Sequence, residues 1–382
     1  MPAPLANFLD KRLAAIRATG TFRSLPGTVR GIDFWSNDYL GLARDASTVS
    51  SSEHLAGGAT GSRLISGDRD AYHQLEVRIA EYHGFPSALL YPSGYTAFLG
   101  LLSSLLQRTD TIIYDELSHA CCRDGIRLGH ARALRFRHND LEDLRRQLEG
   151  ARPDGNVFIL TESRFSMDGD RAPLREIALL CQEYGPHLIV DEAHSGGLDG
   201  AEGRGIVHAL GLQQHVFANV ITYGKAFGGH GGAVLGSAAL KSYLVNTSRP
   251  FIYSTAPAAA QYAAIDTAYA TLEESHAQRM QDLADNVDCF QRAIHHYQLS
   301  TFSPEVNGPI QIIRCPGNDA VMQLQNALWA DNFLVKAIRS PTVAAGQERL
   351  RICLHSFNTK EEIERLVQVL GRELATFGGH KH

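Results

Sequence analysis

No apolar run in this chain approaches the roughly 18–20 residues that a membrane-spanning helix needs. The first twenty residues lack the continuous apolar centre of a secretory signal. Asp10, Lys11, Arg12 and Arg17 interrupt the apolar positions, and the pattern reads as an amphipathic helix. Cysteine is sparse: six thiols (121, 122, 181, 289, 315 and 353) stand among 382 residues, with no C-x-x-C pair and no framework spacing. A disulfide scaffold is thereby excluded, and a reduced, cytoplasmic setting with free thiols is expected. Neither sign of charge dominates. The net charge of −5 leaves no electrostatic footprint for nucleic acid or an anionic membrane. The short basic cluster Arg132 to Arg137 reads as solvated surface, the adjacent Cys121 and Cys122 as packing, and the closing Gly378 to His382 as a frayed end. Internal repeats and low-complexity stretches are also lacking.

What is present is an ordinary globular composition, 44% apolar and 20% charged. A helical arm is expected to reach about Gly31, followed by Ile32 to Leu42 with its turn-rich Ser36-Asn37-Asp38-Tyr39-Leu40-Gly41. From residue 70 helix and strand alternate. Tyr72, Leu75, Ile79 and Tyr82 fall at helical spacing and Gly84 supplies the stop. A second helix, Ala97 to Leu106, follows Ser93-Gly94. Short apolar runs then read as buried strands: Thr111 to Tyr114, Val157 to Thr161, Leu188 to Val190, Val220 to Thr222 and Ala233 to Leu235. Helical stretches, Asp140 to Leu148 and Leu174 to Tyr184, lie between them. The alternation predicts an α/β fold with a mostly parallel sheet covered on both faces. A long helical region, Ala258 to about Tyr297, leads to a smaller α+β unit. Its strands are expected at Ile310 to Arg314, Leu334 to Ile338 and Leu350 to Leu354. The expected boundaries are an arm 1–43, a large domain 44–286 and a small C-terminal domain 287–382.

In an open parallel sheet, ligands bind beyond the carboxyl ends of the strands. Glu162 follows one apolar run, Asp191 and His194 the next, and Gly224-Lys225 the third. An acid, an acid with a histidine, and a lysine therefore gather on one rim. A desolvated lysine is a nucleophile toward carbonyls. The glycines of Gly224-Lys225-Ala226-Phe227-Gly228-Gly229-His230-Gly231-Gly232 let a bulky ligand approach it closely. A strand-end carboxylate such as Asp191 can pair with the ring nitrogen of pyridoxal phosphate. Ser93-Gly94-Tyr95 opens a helix and offers backbone donors to a phosphate. His119, just past the strand ending at Tyr114, is either a hydrogen-bonded structural residue or a ring stacked on a cofactor.

Rival chemistries fail on missing parts. Asp191-Glu192-Ala193-His194 spells a helicase ATPase signature, but no GxxxxGK[ST] loop accompanies it. The glycine run after Lys225 lacks GxGxxG spacing. A metal hydrolase built on His194, Asp191 and Glu162 leaves Lys225 and the Ser-Gly turn without a role. A noncatalytic protein retaining the fold does not account for intact Lys225, Asp191 and His119.

With those residues in hand, the chain resembles the α-oxoamine synthases, a family of fold-type I pyridoxal-phosphate enzymes. The resemblance runs from Ser36-Asn37-Asp38-Tyr39-Leu40-Gly41-Leu42 to Arg349-Leu350-Arg351-Ile352. It takes in Thr60-Gly61-Ser62-Arg63-Leu64-Ile65-Ser66-Gly67, Thr161-Glu162-Ser163, Phe165-Ser166-Met167-Asp168-Gly169, Asp191-Glu192-Ala193-His194 and Gly224-Lys225-Ala226-Phe227-Gly228. The Ser340-Pro341-Thr342-Val343 segment resembles the branch that joins L-alanine to a pimeloyl thioester on the way to biotin; glycine- and serine-using branches share the cofactor set. The resemblance implies the following roles. Lys225 links covalently to pyridoxal 5'-phosphate and acts as base. Asp191 pairs with the ring nitrogen, His119 stacks on the ring, and His194 and Ser166 contact its phenolic oxygen. Ser93, Gly94, Tyr95 and Thr222 hold the phosphate. Thr255 reaches that phosphate from a second subunit, so a homodimer is expected. Asn37 and Arg351 grip the amino-acid carboxylate, while Glu162 and Thr342 line the acyl side, Glu162 also counting among the cofactor contacts. The implied reaction is a decarboxylative condensation of an amino acid with an acyl thioester, carried by coenzyme A or acyl carrier protein, to give an α-amino ketone. No metal, membrane or nucleic acid is expected. Arg164 and His230 depart from the family's usual residues.

Overall fold

A computed structural model describes residues 5–45, 58–151 and 154–378. In chain order its strands are β1 (Ile32–Asp33), β2 (Ser87–Tyr91), β3 (Thr111–Asp115), β4 (Arg132–Phe136), β5 (Val157–Glu162), β6 (His187–Asp191), β7 (Val216–Thr222), β8 (Gly232–Gly236), β9 (Ile310–Arg314), β10 (Phe333–Leu334), β11 (Lys336–Ile338) and β12 (Arg349–Cys353). The chain divides into two compact units. One comprises residues 37–166 and 170–281; the other comprises 1–36, 167–169 and 282–382. The second boundary falls inside a single 38-residue helix, Ala259–His296.

The larger unit is built on a seven-stranded sheet in the order β2-β8-β7-β6-β5-β3-β4. Strands β7, β6, β5, β3 and β4 run parallel, and β8 lies antiparallel to both its neighbours. The central strands are apolar along their whole length because helices cover both faces, so an alternating pattern is not needed. Leu89, Ile112, Phe158, Leu160, Ile189, Ala218, Val220 and Val234 pack there against Phe98, Leu101 and Leu102 of the helix Gly94–Leu105 and Cys122 and Ile126 of the helix Ala120–Leu128. Gly125 permits these two helices to meet, since a Cβ there would sit 2.9 Å from the Phe98 carbonyl oxygen.

The smaller unit holds a three-stranded antiparallel sheet, β11-β12-β9, and a short parallel pair, β1 with β10. Helices Asn318–Ala330 and Lys360–Gly378 belong to it. The N-terminal helix spans Leu5–Ala18 and stops well short of Gly31. Gly20 takes a left-handed φ of 65°, and Pro26 follows. Both features are poor continuations of a helix.

The α/β architecture with a mostly parallel central sheet, expected from the sequence, is the one observed. Three strands carry no clear sequence signal: β1, β2 and β4. The last is the basic cluster itself: Arg132 and Arg135 stand exposed on an outer strand whose partner, β3, is buried.

Candidate active site

Parallel pairing carries the ends of β5, β6 and β7 to one edge of the sheet. Glu162 and Asp191 are direct register partners there, and Asp191 pairs in turn with Val220. Thr222 ends β7 opposite Gly232, which also faces Tyr91 at the end of β2. Three residues after Tyr91 the helix Gly94–Leu105 begins. Ser93 caps it, accepting the Thr96 N–H at 3.1 Å while its own N–H donates to Thr96 Oγ1 at 3.1 Å. Gly232 is required for this approach. A Cβ on it would lie 2.6 Å from the Gly94 nitrogen, which no shift of a flexible side chain could relieve.

These elements enclose a cavity of about 260 Å³. Ser93, Gly94, Tyr95 and Thr222 line one part of it; His119, Glu162, Asp191, His194 and Lys225 line the rest, with Phe98, Ala193 and Val220 as apolar walls. Cys121, His230 and Gly231 also face it.

Lys225 sits at the start of a tight turn. The Gly228 N–H donates to the Lys225 carbonyl at 2.8 Å, and the Gly229 N–H donates to Tyr223 at 2.8 Å. Gly228 has φ +62°, and a Cβ there would strike the Ala43 backbone at 2.2 Å. The half-buried Lys225 Nζ is 2.8 Å from His194 Nε2. The other ring nitrogen, Nδ1, is 2.8 Å from the Tyr39 hydroxyl, which donates to Asn37 Oδ1 at 3.1 Å. The lysine therefore heads a chain of contacts running through two buried aromatic rings.

Asp191 is 4% exposed; its Oδ1 accepts the Ala193 N–H at 2.8 Å, and the Cys122 thiol lies 4.0 Å from Oδ2. Burial pushes its carboxyl above the usual range, opposed by the Lys225 charge and the Ala193 N–H. Glu162 beside it is pushed up further by burial and by Asp191, while its Oε1 accepts the His119 N–H at 2.7 Å. Two adjoining buried carboxyls with one half-buried lysine constitute a site short of positive charge.

His119 forms the N-cap of the helix Ala120–Leu128 and keeps an exposed ring. Its Nδ1 accepts the Cys121 N–H at 3.2 Å and lies 2.9 Å from Cys121 Sγ. The thiol contact raises the His119 pKa. Cys121 is held down to about 6, first by its hydrogen bond with Cys122 and then, against burial, by the one with His119.

The features fit pyridoxal phosphate. A helix N-terminus and the Thr222 hydroxyl can take a phosphate at one end, and the buried Asp191 carboxyl wants a cation at the other. The Lys225 amine and an open imidazole stand in the same cavity.

Not all the expected residues converge here. Ser166 is buried in the turn that follows β5, and Thr255 is exposed; neither lines the cavity. Asn37 connects to it through Tyr39. Arg351, on β12, and Thr342, after β11, belong to the other unit. Arg164 points away from chemistry: it is buried, with Nη2 2.8 Å from Asp199 Oδ1 and Nε 3.1 Å from Oδ2. Two contributors lie outside the residues that the sequence singles out for chemistry. Tyr39 belongs to a turn-rich motif, and Cys121 to a pair expected to pack, although its position two residues after His119 at a helix start is the available signal.

A family model for aminotransferase class I and II matches residues 29–370. An 8-amino-7-oxononanoate synthase of Xylella fastidiosa (strain M12) is 40% identical over 353 residues, covering 90% of this chain and 86% of that protein. One from Alkalilimnicola ehrlichii is 38% identical and covers 97% and 98%. Among solved structures, 8-amino-7-oxononanoate synthase from Francisella tularensis has a TM-score of 0.78 at 29% identity, covering 91% of this chain and 99% of its own. A serine palmitoyltransferase from Sphingomonas wittichii has a TM-score of 0.88 at 25% identity over 97% of both chains. Fold and relatives agree with the resemblance seen in the motifs: the chain belongs to the aminotransferase class I and II family and, within it, to the α-oxoamine synthases.

Proposed function

We propose that this chain condenses L-alanine with a pimeloyl thioester to give 8-amino-7-oxononanoate, using pyridoxal 5'-phosphate. The observation that carries the choice within the family is the 38–40% identity with 8-amino-7-oxononanoate synthases over nearly the whole chain. The overall reaction joins the amino-acid α-carbon to the acyl carbonyl carbon, expels the carrier thiol and releases carbon dioxide. When bound, the cofactor supplies a covalent hold on the amino group and an electron sink for the α-carbon.

The chain's own groups do the rest. Lys225 Nζ moves the α-proton, and His194 Nε2 at 2.8 Å keeps that amine aimed. Tyr39 fixes the imidazole from behind, so ring and amine turn together. Asp191 presents a carboxylate to the ring nitrogen, and the Ala193 N–H holds it in place. Glu162 fixes the backbone of His119, leaving that ring face open for stacking. Amides at Gly94 and Tyr95 and the Thr222 hydroxyl receive the phosphate, with Ser93 anchoring the turn. Phe98, Ala193 and Val220 exclude water from the reacting face. Ser166 serves the phenolic oxygen. Asn37, which accepts the Tyr39 hydroxyl, takes the substrate carboxylate. Arg351 offers a carboxylate a guanidinium fork with two parallel bonds, and Thr342 is a substrate contact by the family resemblance. Thr255 acts on the phosphate of a second copy, so the working unit is a homodimer.

A substrate screen tests this reading: L-alanine, glycine and serine are crossed with pimeloyl and other acyl thioesters, and thiol release is measured. Alanine with pimeloyl should give the highest kcat/KM; a tenfold preference for another pair refutes the assignment. Lys225→Ala should abolish turnover together with any borohydride-reducible link at that residue. Turnover retained in this variant removes the lysine from the chemistry.

A further inference from the structure

Cys121 and Cys122 are consecutive at the start of the helix Ala120–Leu128, and both thiols turn toward the end of β6. One ligand atom from each of Cys121, Cys122 and Asp191 lies within 4.8 Å of the other two, and all three side chains are buried. Cys121 and Asp191 face the cavity, which gives a cation a way in. The reaction described above uses Asp191 and leaves both thiols unassigned.

We propose that the cofactor-free chain binds a thiophilic divalent cation, Zn²⁺ or Cd²⁺, through Cys121, Cys122 and Asp191, in competition with the cofactor. Two sulfurs and one carboxylate oxygen select soft or borderline cations over Mg²⁺ and Ca²⁺. Three protein ligands leave the fourth tetrahedral position to a water from the cavity. Each thiol gives its proton to solvent as its sulfur–metal bond forms, so no oxidant is involved. The positive charge meets the deficit that two adjoining buried carboxyls create. A metal ion on Asp191 would place its positive charge beside the positive pyridinium nitrogen in the same cavity, so the two ligands compete. The metal-bound chain is therefore an idle form that a chelator or excess cofactor returns to service. The inference uses the cofactor reading only for the competition.

The test titrates the full-length chain, freed of cofactor with hydroxylamine, with Cd²⁺ and follows sulfur-to-cadmium charge-transfer absorbance. One equivalent per chain is expected, with a band suppressed by preloading with pyridoxal phosphate. C121S/C122S should lower the affinity at least 100-fold; visible absorbance after cofactor addition reports whether that variant keeps its fold, and C122S alone, expected to lose about tenfold, serves if it does not. Absence of the band, or a band at full strength in the serine variants, overturns the metal site. A band unaffected by saturating cofactor overturns the competition. A chain that binds Cd²⁺ at these thiols but never takes up pyridoxal phosphate upholds the metal site and defeats the cofactor reading instead.

Discussion

Arg164 offers a prediction with a magnitude. Its guanidinium and the Asp199 carboxylate are 2% and 7% exposed and meet through both Nε and Nη2. Removing one partner of a buried pair leaves an uncompensated charge and costs about 3–5 kcal/mol. Here Arg171, half exposed, also reaches Asp199. The orphaned carboxylate keeps one cation, which places Arg164→Ala near the lower end, about 3 kcal/mol. With a urea dependence of about 3 kcal/mol/M for a protein of this size, the midpoint should fall by about 1 M. R164M/D199L removes both charges and should recover most of that loss, since apolar replacements of a buried pair are often neutral. The assay is equilibrium urea unfolding followed by circular dichroism. A midpoint shift below about 0.3 M for the single variant, or a double variant no better than the single, refutes the reasoning.

Other outcomes follow from the same geometry. His138 lies between Asp115 (3.0 Å) and Asp170 (2.7 Å), whose hydrogen bonds raise its pKa to about 10 against the effect of burial. A raised folded-state value means stabilisation that is complete below the unfolded value of about 6.5 and lost as pH climbs through about 10. Allowing for solvent screening, about 2 kcal/mol should disappear over that window, and His138→Gln should flatten the decline; identical pH slopes in parent and variant refute it. Gly232→Ala should weaken cofactor binding at least tenfold, read by visible absorbance, because the new methyl meets the Gly94 backbone; unchanged affinity removes the close approach from the argument. Asp191→Asn should retain cofactor yet slow α-proton exchange by two orders of magnitude or more, and an exchange rate equal to the parent's contradicts its role.

Much of the larger unit was legible because its central strands are continuous apolar runs ended by polar residues. Leu174–Tyr184 and β9 appear at the limits read from periodicity. Strand β2, Ser87–Tyr91, was missed because a five-residue run beside a long helix resembles that helix's tail. Strand β4 was missed because its arginines mask two residues that pack. The rim of Glu162, Asp191, His194 and Lys225 was visible from spacing, since each follows a buried strand. What spacing could not supply was direction. Arg164 lies two residues before Ser166 yet turns toward Asp199, and Tyr39 reaches His194 across 155 positions. Contacts of that sequence separation depend on tertiary packing and leave no local pattern.

The outermost strand, Arg132–Phe136, leaves one row of amide and carbonyl groups facing away from the sheet. Such a row is a template on which a stray strand can dock. Arg132 and Arg135 stand exposed along it, so two copies meeting rim to rim would bring like charges together. Substituting threonine at both positions would spare the chemistry and remove that guard, and the cost would appear as particulate loss during heating or concentration.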